Sequence, residues 1–495
     1  MKKYILAIDQ GTTGSRAFIF DAKAKVIGSA YQEFPQYYPQ PGWVEHDADE
    51  IWQSCVSVIR GAIRKAKISP QQIAAIGITN QRETTVLWDR ATSKPVGRAI
   101  VWQCRRTAVM CESLQLKKHL PAIRKKTGLV LDAYFSGTKI KWMLDHNKNL
   151  RRRAKSGQIC FGTIDSWLIW KLTGGQAHVT DMTNASRTLI FNIRDKKWDP
   201  ELLKAFDIPA EILPTVQPSG SIFGHANNKE TGLIDIPIAG VMGDQQSALY
   251  GQGCHTGGTS KNTYGTGCFL VLNTADRFIL SHQGLLTTLA CDVSGKPVYA
   301  LEGSVFIAGA VVQWLRDELQ VIKNSSQTED MVKGLKDTNG VYVVPAFAGL
   351  GAPYWDSGAR GIVTGLTRGA NRRHVVRAAL ESIAYQTKDV FDLFEKEFGR
   401  KALFLNVDGG ACQNDFLMQF QADILRCRII RPAMIDTTAK GAALLAGVTV
   451  GLWNPKHDLK KLQKVEKVFS PQLSTAKVKE LYSGWQKAVR QARAS

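Results

Sequence analysis

The stretch Asp9-Gln10-Gly11-Thr12-Thr13-Gly14-Ser15-Arg16 has the residue types that could grip phosphate. Phosphate oxygens need dense hydrogen-bond donors that approach without side-chain obstruction. A Gly-Thr-Thr-Gly turn supplies backbone N–H groups and two hydroxyls. Asp9 can hold a hydrated Mg²⁺ near those oxygens, and Arg16 adds a positive charge. An ordinary hairpin loop would use the same residues for the turn alone. The pattern returns about 250 residues later, where Gly265-Thr266-Gly267 separates two strand-like runs within residues 261–272. Two such hairpins imply a duplicated domain, the halves facing each other across a cleft.

Other polar groups stand where apolar runs stop. Arg82-Glu83 lies among Gln81, Asn80 and Thr84 at the end of the run 73–78. Open α/β sheets bind ligands at such strand ends. An arginine fork and a carboxylate can donate to one hydroxyl of a polyol and accept from another. As an isolated pair, the two would be a surface accident. Asp244 follows the strand-like 238–243 and suits two roles, helix cap or general base. Gly409-Gly410 precedes a helix from Asn414, a turn that suits close backbone packing against a base or sugar. No Gly-x-x-x-x-Gly-Lys-Ser/Thr occurs, which excludes a P-loop.

The elements that must position these groups follow from apolar periodicity. Residues 4–8, 17–20, 28–33, 73–78, 85–88, 99–102 and 403–407 read as strands. Residues 49–67 read as a helix with Asp49 as a possible cap, 161–172 as a short helical unit, and 371–394 as a long helix capped by Asn371. Residues 302–319 read as a helix whose small residues allow close approach to a ligand. Trp43 falls in a Pro-rich loop and is expected to be exposed. The fold class is α/β, and the domain boundary is placed near Gly251, giving domains 1–250 and 251–495.

Composition narrows the classes. At 495 residues the chain is too long for one compact core. The apolar run after Met1-Lys2-Lys3 is too short for a secretory signal, and 441–453 too short for a membrane span. No stable membrane insertion is expected. Nine scattered cysteines without a Cys-x-x-Cys pair suit reduced, buried thiols in a cytoplasmic protein. The net charge of +21 is unusual, and residues 451–495 alone carry +7. A basic surface can attract nucleic acid. In the tail, however, Val478, Leu481, Tyr482, Trp485 and Val489 fall at helical spacing, so that segment packs an apolar face inward and turns its lysines to water. No nucleic-acid partner is expected.

Taken together, these pieces resemble the FGGY carbohydrate kinases. One family signature is similar to Tyr134-Phe135-Ser136-Gly137-Thr138-Lys139-Ile140-Lys141-Trp142 and the four residues after it. The other resembles Gly365-Leu366-Thr367-Arg368-Gly369 with His374, Arg377 and residues 380–386. Residues 77–85, 102–107 and 262–269 look like the branch of the family that acts on glycerol. The likeness runs from Tyr4 to about Ala488.

The resemblance implies a two-domain, actin-like fold of the ribonuclease H type, with duplicated mixed sheets flanked by helices and ATP in the central cleft. It implies phosphorylation of glycerol to sn-glycerol 3-phosphate, the first step of glycerol catabolism. Carried over position by position, Arg82, Glu83, Tyr134 and Asp244 would hold glycerol hydroxyls, with Gln245 beside them, and Trp102 and Phe269 would cover its carbons. Asp244 would be the base and Asp9 the Mg²⁺ residue. Thr12, Thr13, Arg16 and Thr266 would serve the phosphates, and Gly309, Gln313, Gly410 and Asn414 the adenosine side. A homodimer or homotetramer is expected. Gly14 stands where the glycerol branch often has serine, so one hydroxyl donor is missing while the backbone N–H remains. Around residues 229–235 the chain lacks the Gly-rich, Arg-bearing loop that binds a sugar bisphosphate in some bacterial relatives. Inhibition by fructose bisphosphate is not expected.

Overall fold

A computed structural model of the chain describes residues 3–356 and 358–494. Strands β1 (Tyr4–Gln10) and β2 (Gly14–Phe20) form the first hairpin, continued by β3 (Val26–Glu33). After helix α1 (Ala48–Ala66) come β4 (Ile73–Asn80), β5 (His225–Asn228) and β6 (Leu233–Gly243). Between β4 and β5 lies helix α2 (Ser136–Asp145), and after β6 comes α3 (Asp244–Gly251). The sheet order is β5-β6-β4-β1-β2-β3.

The second sheet starts with the hairpin β7 (Ser260–Tyr264) and β8 (Cys268–Ala275), followed by β9 (Leu286–Cys291) and β10 (Pro297–Val305). Helices α4 (Gly309–Asp317) and α5 (Arg372–Phe398) intervene before β11 (Phe404–Asp408). Then come α6 (Asp415–Leu425), β12 (Arg428–Pro432), α7 (Thr437–Thr449), β13 (Val465–Phe469) and α8 (Thr475–Arg493). The order is β9-β10-β8-β7-β11-β12-β13.

The echo between the hairpins extends through six strands. Read from β3, the first sheet pairs antiparallel twice (β3-β2-β1), parallel twice (β1-β4-β6), then antiparallel to β5. Read from β10, the second sheet repeats that series through β8, β7, β11, β12 and β13. Parallel central strands buried on both faces need the continuous apolar runs seen in β1 and β4. Each half therefore sends its phosphate-type turn to the carboxyl edge of its own sheet.

Several local expectations change. The cap of α1 is Asp47, whose carboxylate accepts from the Asp49 and Glu50 amides. Asp49 instead adds negative charge to the first turn, where it opposes the helix dipole. Phe161 belongs to the strand Ile159–Gly162, and the helix starts only at Ile164. Residues 302–305 complete β10, where Glu302 pairs in register with Val271, and the helix begins at Gly309. Trp43 is half-buried, edge-on to Trp142 at 5.3 Å and under the Arg106 guanidinium at 3.8 Å. In the basic tail, Trp485 is buried against Tyr385 and donates to Asp389, so α8 docks through its apolar face. All nine cysteines are free and buried, and among the described residues no helix is long and apolar enough to cross a membrane.

Helix α7 belongs to the second half of the chain but lies against β4, β6 and α3 of the first. Its contact with α3 is backbone to backbone. A Cβ on Gly441 would collide with the Ser247 carbonyl, and one on Gly251 with the Thr437 carbonyl. Gly441→Ala should therefore force the two helices apart and cost about 1–3 kcal/mol in urea-denaturation stability, the usual range for overpacking.

Candidate active site

Gln10, Asn80 and Gly243 close the carboxyl ends of neighbouring strands, so Arg82 and Glu83 after β4 and Asp244 after β6 share one rim. Asp244 is the first residue of α3 and the cap position is Gly243, so the cap role is not the one it takes. Its Oδ1 accepts from the Gln245 amide at 2.7 Å and lies 3.1 Å from Arg82 Nε. A third of the Asp244 side chain stays exposed.

Arg82 is almost wholly buried, and its charge is met by a network that includes two residues with no role assigned from sequence. Its guanidinium grips Glu302 with two bonds, Nη1 at 2.6 Å and Nη2 at 3.0 Å. Arg187, fully buried, donates to the same Glu302 Oε1 that Arg82 Nη2 reaches, at 3.0 Å, and to Glu83 Oε1 at 2.6 Å. Arg82 Nε lies 3.7 Å from Glu83 and closes a square of two arginines and two glutamates. Burial alone would raise the Glu302 carboxyl, but Arg187 and Arg82 together hold it down at about 2. Glu83 is raised, because burial outweighs its two arginines. A lone acid inside the apolar run of β10 was the signal for Glu302, and Arg187 ends the polar run 183–187.

Glu83 has a left-handed backbone, φ +60°, which costs a non-glycine residue of order 1 kcal/mol or more. Its carbonyl accepts from Ser136 Oγ at 3.1 Å, Lys139 Nζ at 3.0 Å and Thr85 Oγ1 at 3.2 Å, which holds that conformation. Ser136 and Lys139 come from α2, so the first family-like signature acts here as a clamp. Burial lowers the Lys139 ammonium to about 7. The Glu83 Oε2 and the Tyr134 hydroxyl have no protein hydrogen bond among the described residues.

Trp102, Tyr134 and Phe269 are all half-buried and meet edge to face, at 5.7 Å and 6.5 Å from the Trp102 ring. Phe269 arrives from β8, so both halves build this wall. Trp102 Nε1 donates to Thr12 Oγ1 at 2.9 Å, which joins the wall to the first hairpin tip. Gln10 and Gln81 donate to the Gly11 carbonyl of the same tip, and the Thr84 hydroxyl donates to the Gln81 side chain. Thr13 is exposed at the turn. The space beside Gly14 is filled, since a Cβ there would meet the Tyr31 ring at 2.5 Å. Arg16 stacks over that ring at 5.3 Å and pairs with Asp436 at 3.0 Å. Asp9 is half-buried. Lost hydration and the Asp244 and Asp436 charges lift its carboxyl to about 7 against the pull of Arg16.

Thr266, Gly309, Gln313, Gly410 and Asn414 line one cavity of about 380 Å³, with Thr328, Glu329 and Leu380 among its other walls. Gly309 N donates to the Gly265 carbonyl at 2.9 Å, which seats the second hairpin tip on the start of α4. Gly409 rather than Gly410 is the conformationally required glycine: its φ is +84° and the Tyr264 backbone packs against it. Gly410 faces open space. The Asn414 side chain caps α6 and donates to Thr328.

This geometry offers a polar rim with an aromatic wall, two phosphate-type turns and a separate cavity behind the second. Residues 4–251 match the N-terminal domain of the FGGY family of carbohydrate kinases and residues 260–450 its C-terminal domain. A glycerol kinase from Alkaliphilus metalliredigens is 56% identical over 492 residues, covering 99% of this chain and 98% of that protein. One from Thermoanaerobacter pseudethanolicus is 57% identical, covering 99% of each. The crystal structure of Plasmodium falciparum glycerol kinase with ADP superposes with a TM-score of 0.93 at 37% identity, covering 99% and 98% of the two chains.

The charge square predicts a pH signature. Glu302→Gln leaves Arg82 and Arg187 underpaired and should cost about 3 kcal/mol or more at pH 7 by urea denaturation. The Glu302 carboxyl is depressed in the folded chain, so its stabilisation is complete above its ordinary 4.5 and is lost as pH falls from there towards 2. The gap between wild type and Glu302→Gln should therefore narrow below pH 4.5.

Proposed function

This chain belongs to the FGGY family of carbohydrate kinases, and from that premise we propose that it transfers the γ-phosphoryl group of ATP to a terminal hydroxyl of glycerol. The observation that carries this reading is the size and chemistry of the rim. Acceptors Glu83 and Asp244, donors Arg82 and Tyr134, and a wall of Trp102, Tyr134 and Phe269 suit a short polyol with hydroxyls on one side and carbons on the other. Gln245 stands beside Asp244 as a further ligand.

Asp244 is the general base. Its Oδ1 is occupied by Arg82 and the Gln245 amide, which leaves Oδ2 for the substrate hydroxyl. As the glycerol oxygen forms its bond to the γ-phosphorus, the hydroxyl proton passes to Asp244. The bond from phosphorus to the β–γ bridging oxygen breaks, and ADP departs with that electron pair. Phosphoryl transfer asks mainly for positioning and charge stabilisation. Thr12, Thr13, Arg16 and the amide of Gly14 face the phosphates from the first half, and Thr266 from the second. Gly309, Gln313, Gly410 and Asn414 hold the adenosine in the cavity behind Thr266. Closure of the halves excludes water, so ATP is not spent on hydrolysis.

The residues present fit a Mg²⁺ ion at Asp9. Its carboxyl is pushed up mainly by burial and further by the Asp244 and Asp436 charges, and a cation beside it would offset both. Among the described residues no cluster of three metal-ligating side chains exists. Asp9 would hold such an ion through its single carboxylate. When bound, the ion neutralises charge on the β- and γ-phosphates.

Asp244→Asn should bind glycerol and ADP normally yet lose about 10²–10⁴-fold in turnover, the usual worth of a positioned base. An ADP-release assay on wild type with glycerol, dihydroxyacetone, xylulose, ribulose and gluconate should show strongest turnover with glycerol. Strong turnover only with a pentulose would reject the substrate assignment, and near-normal Asp244→Asn turnover would reject the base.

A further inference from the structure

Lys261 lies on β7, in the second sheet, and is fully buried. Its Nζ donates to Oε1 of Gln245, the residue after Asp244, and to Thr263 Oγ1 at 2.7 Å. An ammonium group donates and never accepts. The Gln245 atom that faces it must therefore be the carbonyl oxygen, although the two ends of a carboxamide are nearly the same in shape. The amide nitrogen is turned away. Among the described residues Nε2 has no protein hydrogen bond, and unlike the orphaned Arg187 Nη1 it is not sealed from solvent.

We infer that Lys261 is a positioning residue that pins the Gln245 oxygen inward, so that Nε2 serves as a donor to the polyol oxygen beside Asp244. This rests on the reading that Asp244 and Gln245 face the polyol. The logic is one of matched signs. A hydroxyl that gives its proton to Asp244 has only lone pairs left to offer, and a carboxamide turned the other way would meet them with its own. The pin also crosses the molecule: the lysine belongs to the half that carries the second hairpin, and the glutamine follows the last central strand of the first sheet. Lys261 also feels the charges of Asp408, Asp244 and Glu302. A lysine that only balanced those acids would act independently of Gln245, which makes the two roles separable.

The test measures KM for glycerol, kcat and ADP affinity in the full-length chain. The set is wild type, Lys261→Met, Gln245→Ala, the double variant and Gln245→Glu. Lys261→Met and Gln245→Ala should each raise KM about tenfold, the worth of one hydrogen bond, with ADP affinity within about twofold. The double variant should match Gln245→Ala alone, because nothing remains to orient. Gln245→Glu keeps an oxygen for Lys261 but offers the polyol a second acceptor, so its KM should rise at least as far as that of Gln245→Ala. Multiplied effects in the double variant would overturn the inference in favour of charge balance. A Gln245→Glu KM below that of Gln245→Ala would overturn it too, and this comparison stands even if Lys261→Met fails to fold. An unchanged KM in Gln245→Ala would instead reject the placement of Gln245 at the polyol, and the inference with it.

Discussion

Arg82 carries a charge that water scarcely reaches, and the site is organised around that fact. A buried guanidinium is tolerated only when its donors are met by well-placed acceptors. Glu302 meets two of them and Asp244 a third, while Glu83 faces Nε from farther away. Glu302 and Glu83 in turn need a second cation, which Arg187 provides. Arg82 and Arg187 thereby fix one carboxylate oxygen of Asp244 and one of Glu83, while the second oxygen of each has no protein hydrogen bond among the described residues. The left-handed backbone of Glu83 belongs to the same constraint, since a relaxed backbone would swing its carboxylate out of the square. Precise placement of the rim carboxylates thus follows from satisfying buried charge.

The aromatic wall and the first hairpin tip are joined by neutral hydrogen bonds rather than by charge. The path runs from Gln10 through Gln81 and Thr84 to the Trp102 backbone, and returns from the Trp102 ring to Thr12. A ring of the aromatic wall therefore also holds a hydroxyl of the first hairpin tip. Because the indole N–H is the donor, the Thr12 hydroxyl keeps its own proton free for an acceptor. Tyr31 fills the space beside Gly14, so the side chain missing there leaves no void, and its ring carries Arg16.

The parts of this site that were legible in the sequence are those written in contiguous residues. Both hairpins, the strand end at Arg82-Glu83 and the Asn371 cap are local patterns, and local patterns survive folding. The six-strand repetition was foreshadowed by the hairpin echo alone. Glu302 was hidden because small residues after it suggested a helix, while pairing with β8 decided for a strand, as tertiary context often does. Arg187 and Lys261 are unremarkable in their own neighbourhoods. Their meaning comes from partners about 100 residues away in one case and from the opposite half of the molecule in the other. Asp49 and Asp47 are equally good caps on paper, and only the helix start separates them.

The position of α7 sets a schedule for synthesis. The face of the first sheet that holds Ile5, Ala7, Ala75, Ala239 and Met242 is covered by Ala439, Ala443, Leu444 and Leu445. The ribosome finishes that sheet roughly 200 residues before it makes its cover. At 5–20 residues per second the apolar face stands bare for about 10–40 s. The nascent first half is then a sheet with an open apolar side, the kind of surface that aggregates. It becomes a finished domain only when helix α7, within about the last eighth of the chain, emerges.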